Sequence, residues 1–286
     1  MNPERHCRRL AAASGSNFHL AFRFLPAPQR RAITALYAFC RLVDDAVDDE
    51  AGDGARRLAE WRAELDRLYA GRPTHPVTQA LAEAVARYGL DRAYFEELLD
   101  GMAMDLQHTR YPDFKALQLY CYRVASVVGI LCAHVFGFSD RRTLDYAHDL
   151  GLALQLINIL RDAGEDARRG RIYIPQDELA AFGVRPEALQ RRHTTPALQA
   201  LFAHQARRAR AGLENARRKL PEADRLRQRP GMVMAALYEA LLDRIERGGY
   251  RVLEQRHRLP TVNKLVVAWR AWRHAGRPAD RRGATT

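Results

Sequence analysis

The sequence predicts an all-α protein folded as one domain, and three observations predict it. Apolar residues recur at steps of three and four in nearly every segment, no run shows the period-two alternation of a half-buried strand, and short turns join the segments without a Ser/Gly-rich linker. The chain has 286 residues, 47% hydrophobic and 28% charged with both signs mixed, which is the composition of a packed core and not of a disordered chain.

Taken in order, the segments read as follows. After Pro26 and Pro28, residues Ile33, Leu36, Tyr37, Cys40, Val43 and Val47 mark one face of a long helix. Leu58, Trp61, Leu65 and Leu68 mark the next, stopped near Gly71 and Pro73. A third runs through Val77, Leu81 and Val85 to Gly89, and Phe95, Leu98, Leu99, Met102 and Leu106 carry the pattern to Tyr111 and Pro112. Leu117, Tyr120, Val124, Val128 and Leu131 define a notably apolar helix, closed by Gly137 and expected at the centre. Ser139 and Asp140 are a capping signal for a helix through Leu144, Ala147, Gly151, Leu154 and Asn158 to about Asp166. Segments after Pro196 and Pro230 are helical in pattern, the first strongly charged and the second more apolar. The domain is expected to span residues 1–276 and to leave a loose, disordered polar tail at 277–286.

Composition narrows the function classes. The formal net charge is +12, but lysine occurs only at Lys115, Lys219 and Lys264, and the arginines that make up the rest are scattered along the chain. That distribution argues against a nucleic-acid binder, which gathers its cations in a stripe, and no helix-turn-helix is evident. A diphosphate substrate or an anionic membrane would use the same charge. Cys7, Cys40, Cys121 and Cys132 form no CxxC pair or metal-ligand spacing, and a chain this long needs no disulfide staples. Residues 1–13 are charged throughout and lack the apolar core of a signal peptide, and no stretch approaches ~20 uninterrupted apolar residues. A cytoplasmic protein is expected, with peripheral contact at the inner face of a membrane left open. Trp269 and Trp272, set between arginines, read first as packing on a neighbouring helix and second as a membrane-interface pair.

Two acidic clusters carry chemistry. Asp44, Asp45, Asp48 and Asp49 lie at the end of the first long helix, where residues four apart stack, so Asp44 with Asp48 and Asp45 with Asp49 each present two carboxylates together. Like charges at that spacing destabilise a helix; the pattern fits either a solvated helix end or oxygen ligands for Mg²⁺, which takes one or two carboxylates plus substrate phosphate oxygens. On the later helix Gln155, Asn158, Asp162 and Asp166 form a polar stripe among Leu154, Leu156, Ile157, Ile159 and Leu160. Acids on so apolar a helix are costly without a cation. Tyr37 and Arg41 share rows with the first cluster, and Arg161, Arg171 and Tyr173 accompany the second. Each alone reads as a salt-bridge partner; together they outline a diphosphate pocket.

Five blocks in fixed order carry a resemblance: Ser16, Asn17 and Phe18 at the entry, YAFCRLVDDAVDD at 37–49, GMAMDLQHTRY at 101–111, YCYRVASVVG at 120–129 and LALQLINILRDAGEDARRGRIYIP at 152–175. They resemble the head-to-head prenyl synthases, the squalene and phytoene synthase family, over residues 16–175, with a weaker likeness through Tyr238 and Tyr250 to Lys264.

The resemblance implies a single-domain isoprenoid synthase fold, a helical bundle around a central hydrophobic cavity, with Mg²⁺ as cofactor and farnesyl or geranylgeranyl diphosphate as substrate. Asp44 and Asp48 match its first metal motif, with Asp45 alongside, and Asn158, Asp162 and Asp166 match the second. Ser16, Tyr37, Arg41, Gln155, Arg171, Tyr173 and Tyr238 match positions that hold or neighbour the diphosphates, as does Arg256 across a stretch, 255–260, that is shifted by one residue. Phe18, Phe22, Val124, Val128, Gly129 and Leu154 match cavity positions, and Tyr120 opens the helix expected to wall the cavity. Two departures stand out: Asn17 replaces a common serine, and Ser126 replaces a glycine and is expected to narrow the tunnel.

Within the family, VASVVG, the GMAMDLQ block and the compact length look most like bacterial presqualene diphosphate synthases of the hopanoid pathway. These condense two farnesyl diphosphates and stop at the cyclopropyl diphosphate; no GxGxxG dinucleotide fingerprint is present. The alternatives carried forward are a phytoene synthase acting on geranylgeranyl diphosphate, a squalene synthase using NADPH and, in a different class, a non-catalytic helical assembly protein of the same fold.

Overall fold

A computed structural model describes residues 2–13, 25–47 and 53–275. The described residues form α1 (Pro3–Ala13), α2 (Ala27–Val47), α3 (Gly54–Tyr69), α4 (Pro76–Tyr88), α5 (Arg92–Gln107), α6 (Phe114–Cys121), a π turn (Tyr122–Ser126), α7 (Val127–Phe136), α8 (Arg142–Arg168), α9 (Gln176–Ala181), α10 (Pro196–Lys219), α11 (Arg229–Arg247) and α12 (Thr261–His274). Short 3₁₀ turns at Pro186–Gln190 and Glu222–Asp224 link the later helices. The long helices begin and end close to where the apolar spacing places them. Two helices, α1 and α12, are not among the segments read from the sequence: α1 carries few apolar residues, and the apolar run of α12 is broken by Arg270 and Arg273.

Local chemistry fixes the helix starts. Asp91 accepts from Ala93 N–H at 2.9 Å, Asp113 from Ala116 N–H at 2.8 Å and Thr195 from Leu198 N–H at 3.3 Å, each using a donor that the first turn cannot pair internally. The start of α8 is capped twice. Asp140 accepts from Arg142 N–H at 2.9 Å, as its sequence position suggests. Asp224, more than 80 residues away and fully buried, accepts from Ser139 N–H, Asp140 N–H and the Ser139 and Thr143 hydroxyls at 2.7–3.0 Å. Burial opposes the Asp224 charge, but these donors outweigh it and hold the carboxyl well below its ordinary range.

Helices α1 to α5 pack together on one side, and α8, α10, α11 and α12 on the other. Between them runs the rod of α6, the π turn and α7, Phe114–Phe136, a 23-residue helix long and apolar enough to cross a membrane. Here it is the central core helix that its composition predicts: Leu117, Tyr120, Val127, Ile130, Leu131 and Phe136 are buried against α5 on one flank and α8 on the other. The approach to α8 depends on two glycines. A Cβ on Gly129 would lie 2.6 Å from the Ala147 carbonyl oxygen, and one on Gly151 would lie 2.6 Å from that of Ala125. Only hydrogen fits at either point, so the backbones touch and the side chains on either side of the contact turn toward a common space.

In the other half, Glu64 of α3 is buried and receives the backbone N–H groups of Thr74 and His75 and the Thr74 and Thr78 hydroxyls, at 2.5–2.8 Å, with Arg67 on its outer side. Burial pushes its pKa up, but the donors from His75, Thr78 and Thr74 more than reverse this and hold it at about 2. The folded value lies below the ordinary 4.5, so the stabilisation is complete above about 4.5 and is lost as pH falls toward 2. Glu64→Gln should cost roughly 2 kcal/mol at pH 7. In urea melts of the two proteins, the difference should shrink between pH 4.5 and 3; a gap unchanged with pH would show that Glu64 is not the group titrating.

Candidate functional site

An apolar cavity of about 250 Å³ opens where α2, the π turn, α7, α8 and α11 meet. Leu36, Tyr37 and Cys40 line it from α2, Val124, Val128 and Gly129 from the central rod, Leu154, Gln155 and Asn158 from α8, and Met234 and Tyr238 from α11. Along α8 the lining changes character. Tyr146, Ala147, Leu150 and Gly151 form the apolar end and Gln155 and Asn158 the polar end, the span from Tyr146 to Asn158 being roughly 18 Å at the helical rise. Tyr37, Val124, Val128, Gly129, Leu154, Gln155 and Tyr238, all singled out in the sequence, therefore share one cavity. A larger cleft of about 810 Å³ between α1, α2 and α4 shares Tyr37, but it is rimmed by charged side chains, among them Arg31, Glu4 and Glu83 held in ion pairs. Cys7, Ala11 and Ile33 give it apolar wall as well, so the charged rim is what sets it apart from the inner cavity.

One turn beyond Asn158 the stripe becomes ionic. Asp162, only 16% exposed, is held by the neighbouring Arg161 and by Arg256, whose Nε lies 2.9 Å from its Oδ1. Arg256 also reaches Glu165 at 3.5 Å, so this arginine, matched across a shifted stretch of sequence, does meet the acidic motif. Tyr238 lies beside Arg161 and Asn158. Burial first, and then the charges of Asp162 and Glu165, push Asp166 up to about 7 against the pull of Arg169 and Arg171. On α2, Arg41 pairs with Asp45 at 2.6 Å and with Asp44 at 3.4 Å, all three about half exposed.

The two acidic ends are tied across the fold. The loop after α8 is held to the loop after α5 by backbone bonds from Ile172 N–H to Thr109 O at 3.0 Å, Gln176 N–H to Tyr111 O at 2.9 Å and Asp177 N–H to Pro112 O at 3.1 Å. That strap aims Arg171 back at α2, where it donates to the Val47 carbonyl at 3.4 Å.

Tyr120 and Tyr173 take a different place from the one expected. Neither lines the cavity; both donate to Asp105 of α5, at 2.9 and 2.7 Å, with their rings stacked 5.0 Å apart and Tyr111 against both. Burial, joined by the Asp105 charge, raises all three hydroxyls far above their ordinary range, so all stay protonated and Tyr120 and Tyr173 remain donors. Asp105 is the residue that motif reading passed over. Its signal is an acid three and seven residues after Met102 and Leu98, in register with the core face of α5. Ser126 is a correction too. It is fully buried and donates to the His148 carbonyl at 2.8 Å, so it turns into α8 and leaves the tunnel to its neighbour Ala125. Ser16, Asn17, Phe18, Phe22, Asp48, Asp49 and the tail 277–286 lie outside the described residues.

Among the described residues, no three acids gather closely enough to hold an ion by themselves. The donors still suit a hard divalent cation. They are all oxygens, Asn158 Oδ1 is buried with no hydrogen-bond donor among the described residues, and Asp166 lies one turn from Asp162 on the same face.

The squalene/phytoene synthase family model matches residues 11–264. The 15-cis-phytoene synthase of Synechococcus elongatus is 37% identical over 273 residues, covering 91% of this chain and 89% of that one. The chloroplastic phytoene synthase of Narcissus pseudonarcissus is 36% identical over 269 residues, and the match spans 91% of this chain but only 64% of that longer one. Among solved structures, a dehydrosqualene synthase in complex with a ligand superposes with a TM-score of 0.86 at 27% identity, covering 95% of this chain and 96% of its own. The squalene synthase HpnC from Alicyclobacillus acidocaldarius superposes at 0.79 with 31% identity, covering 87% and 94%.

The Asp105 cluster makes a prediction about packing. Asp105→Ala leaves two buried hydroxyls without their acceptor and should cost about 3 kcal/mol, against about 1 kcal/mol for Tyr173→Phe. Chemical denaturation of the double variant should fall short of the sum by more than about 0.5 kcal/mol; strict additivity would mean that the two groups do not interact.

Proposed function

The chain belongs to the squalene/phytoene synthase family, and from that premise we propose that it joins two allylic prenyl diphosphates head to head in the cavity beneath Gln155 and Asn158. The observation that carries this reading is the change along one face of α8, from apolar cavity wall to amide to arginine-paired carboxylate. A prenyl diphosphate has the same profile, a greasy chain ending in a dense anion.

The residues divide the work. Arg41, Arg161, Arg171 and Arg256 stand near the acids at the polar end and supply fixed positive charge to diphosphate oxygens, which can accept their planar forks two bonds at a time. Asp44, Asp45, Asn158, Asp162 and Asp166, with Asp48, are the residues that would hold Mg²⁺, whose bound charge neutralises a departing diphosphate. Ionisation of one substrate leaves an allylic cation and free diphosphate; the double bond of the second substrate attacks that cation, and the tertiary cation so formed closes a cyclopropane as C1 of the second substrate loses a proton to the released diphosphate. Val124, Val128, Leu150 and Leu154 keep water from that cation, and the face of Tyr37 stabilises it by roughly 0.5–2 kcal/mol.

For the substrate, the phytoene synthase relatives at 35–37% identity favour geranylgeranyl diphosphate and phytoene. This displaces farnesyl diphosphate as the first reading of the sequence. The farnesyl route to presqualene diphosphate stands as the second reading, on the 31% identity and matching fold of HpnC.

Purified protein with Mg²⁺ should release diphosphate and yield a forty-carbon hydrocarbon from geranylgeranyl diphosphate. A phosphorylated thirty-carbon product from farnesyl diphosphate, formed with or without NADPH, would select the second reading. No turnover of either substrate would overturn both. Asp162→Asn should lower turnover by about 10² or more, on the scale of losing one group that stabilises developing charge, and leave the far-UV circular dichroism unchanged; activity near wild type would remove Asp162 from the site.

A further inference from the structure

Helix α12 has two apolar faces, and only one of them is packed. Ala268 is buried, and Val267, Ala271 and Trp272 are half-buried against the core, with the Arg229 guanidinium of α11 5.3 Å over the Trp272 ring. The opposite face holds Val262, Leu265, Val266 and Trp269, exposed by 70, 51, 41 and 58%. Their spacing of three and four gathers them into one stripe. These four account for most of the large apolar side chains exposed among the described residues. The sequence treats Trp269 and Trp272 alike; the fold separates them into an outward and a packed tryptophan.

Charge identifies what the stripe fits. Residues 255–275 contain Arg256, Arg258, Lys264, Arg270 and Arg273 and no Asp or Glu. Arg273 continues the stripe and lies 4.8 Å over the Trp269 ring, and neither Lys264, Arg270 nor Arg273 is committed to an ion pair among the described residues. A second copy of the chain on this face would bring the same cations against one another. The tail at 276–286 offers proline, alanine and more arginine, and no large apolar side chain to cover the stripe.

We infer that α12 docks the enzyme on an anionic bilayer surface, with Leu265, Val266 and Trp269 in the headgroup layer and Arg270 and Arg273 on lipid phosphates. Tryptophan suits that boundary because its ring is apolar and its N–H needs a partner, and the arginine and lysine stems lie along the apolar layer while their charges stay wet. The inference does not depend on which prenyl diphosphate the cavity accepts.

The full chain, sedimented with phosphatidylcholine vesicles and with vesicles one third phosphatidylglycerol, should bind the anionic set, bind the neutral set weakly, and leave the anionic set as salt rises. Vesicles should shift the tryptophan emission to the blue, and Trp269→Phe should remove most of that shift while keeping binding. Leu265→Ser with Trp269→Ser should weaken partitioning by about tenfold or more, and Arg270→Glu with Arg273→Glu should abolish the preference for anionic lipid, each with unchanged circular dichroism. Failure of the wild-type chain to sediment with anionic vesicles, or sedimentation unaffected by the serine variant, would overturn the inference. So would a wild-type dimer in light scattering that the serine variant converts to monomer, since a second copy would then cover the face.

Discussion

Contact between the central rod and α8 is the constraint on which the rest of the molecule depends. Gly129 and Gly151 let two backbones meet where any Cβ would strike a carbonyl at 2.6 Å. With the backbones touching there, Val124, Ala125 and Val128 on one side and Ala147, Leu150 and Leu154 on the other flank a shared space instead of interdigitating fully. The cavity is thus a consequence of a tight crossing in a core that is otherwise closely packed.

That crossing gives α8 two incompatible surroundings. Its apolar turns sit beside the cavity, and its last turns carry Asp162, Glu165 and Asp166 into partly buried surroundings where a lone carboxylate is costly. Arg161 and Arg256 answer for Asp162, and Asp166, less well supplied, is raised to about 7. The same physics is resolved differently at Asp224 and Glu64, where four uncharged donors and an arginine each surround the carboxyl and lower it. Asp166 is left short of donors where Asp224 and Glu64 are saturated with them.

The Asp105 cluster joins these two themes. It satisfies a buried acid with Tyr120 and Tyr173, and through Tyr173 it anchors the strap that carries Arg171 toward α2. Two tyrosines read from their motifs as binding groups thus have their hydroxyls on Asp105, a partner that motif reading alone does not reveal. Ser126 is a similar case: its hydroxyl has an acceptor in α8, and that hydrogen bond decides which way it points.

Periodicity by itself determined the helical class and most of the long helices, because a core face repeats every three to four residues whatever it packs against. Five ordered motifs determined the family, and the Asn158–Asp162–Asp166 spacing placed the acids on one face of one helix, since these are local properties. Only the tertiary structure decided that Arg256 meets Asp162, that Tyr120 and Tyr173 meet Asp105, that Asp224 caps α8 and that Trp269 faces out while Trp272 packs. Those outcomes depend on which surfaces are brought together from distant parts of the chain, and a one-dimensional pattern carries the period of a face but not the identity of what lies opposite it.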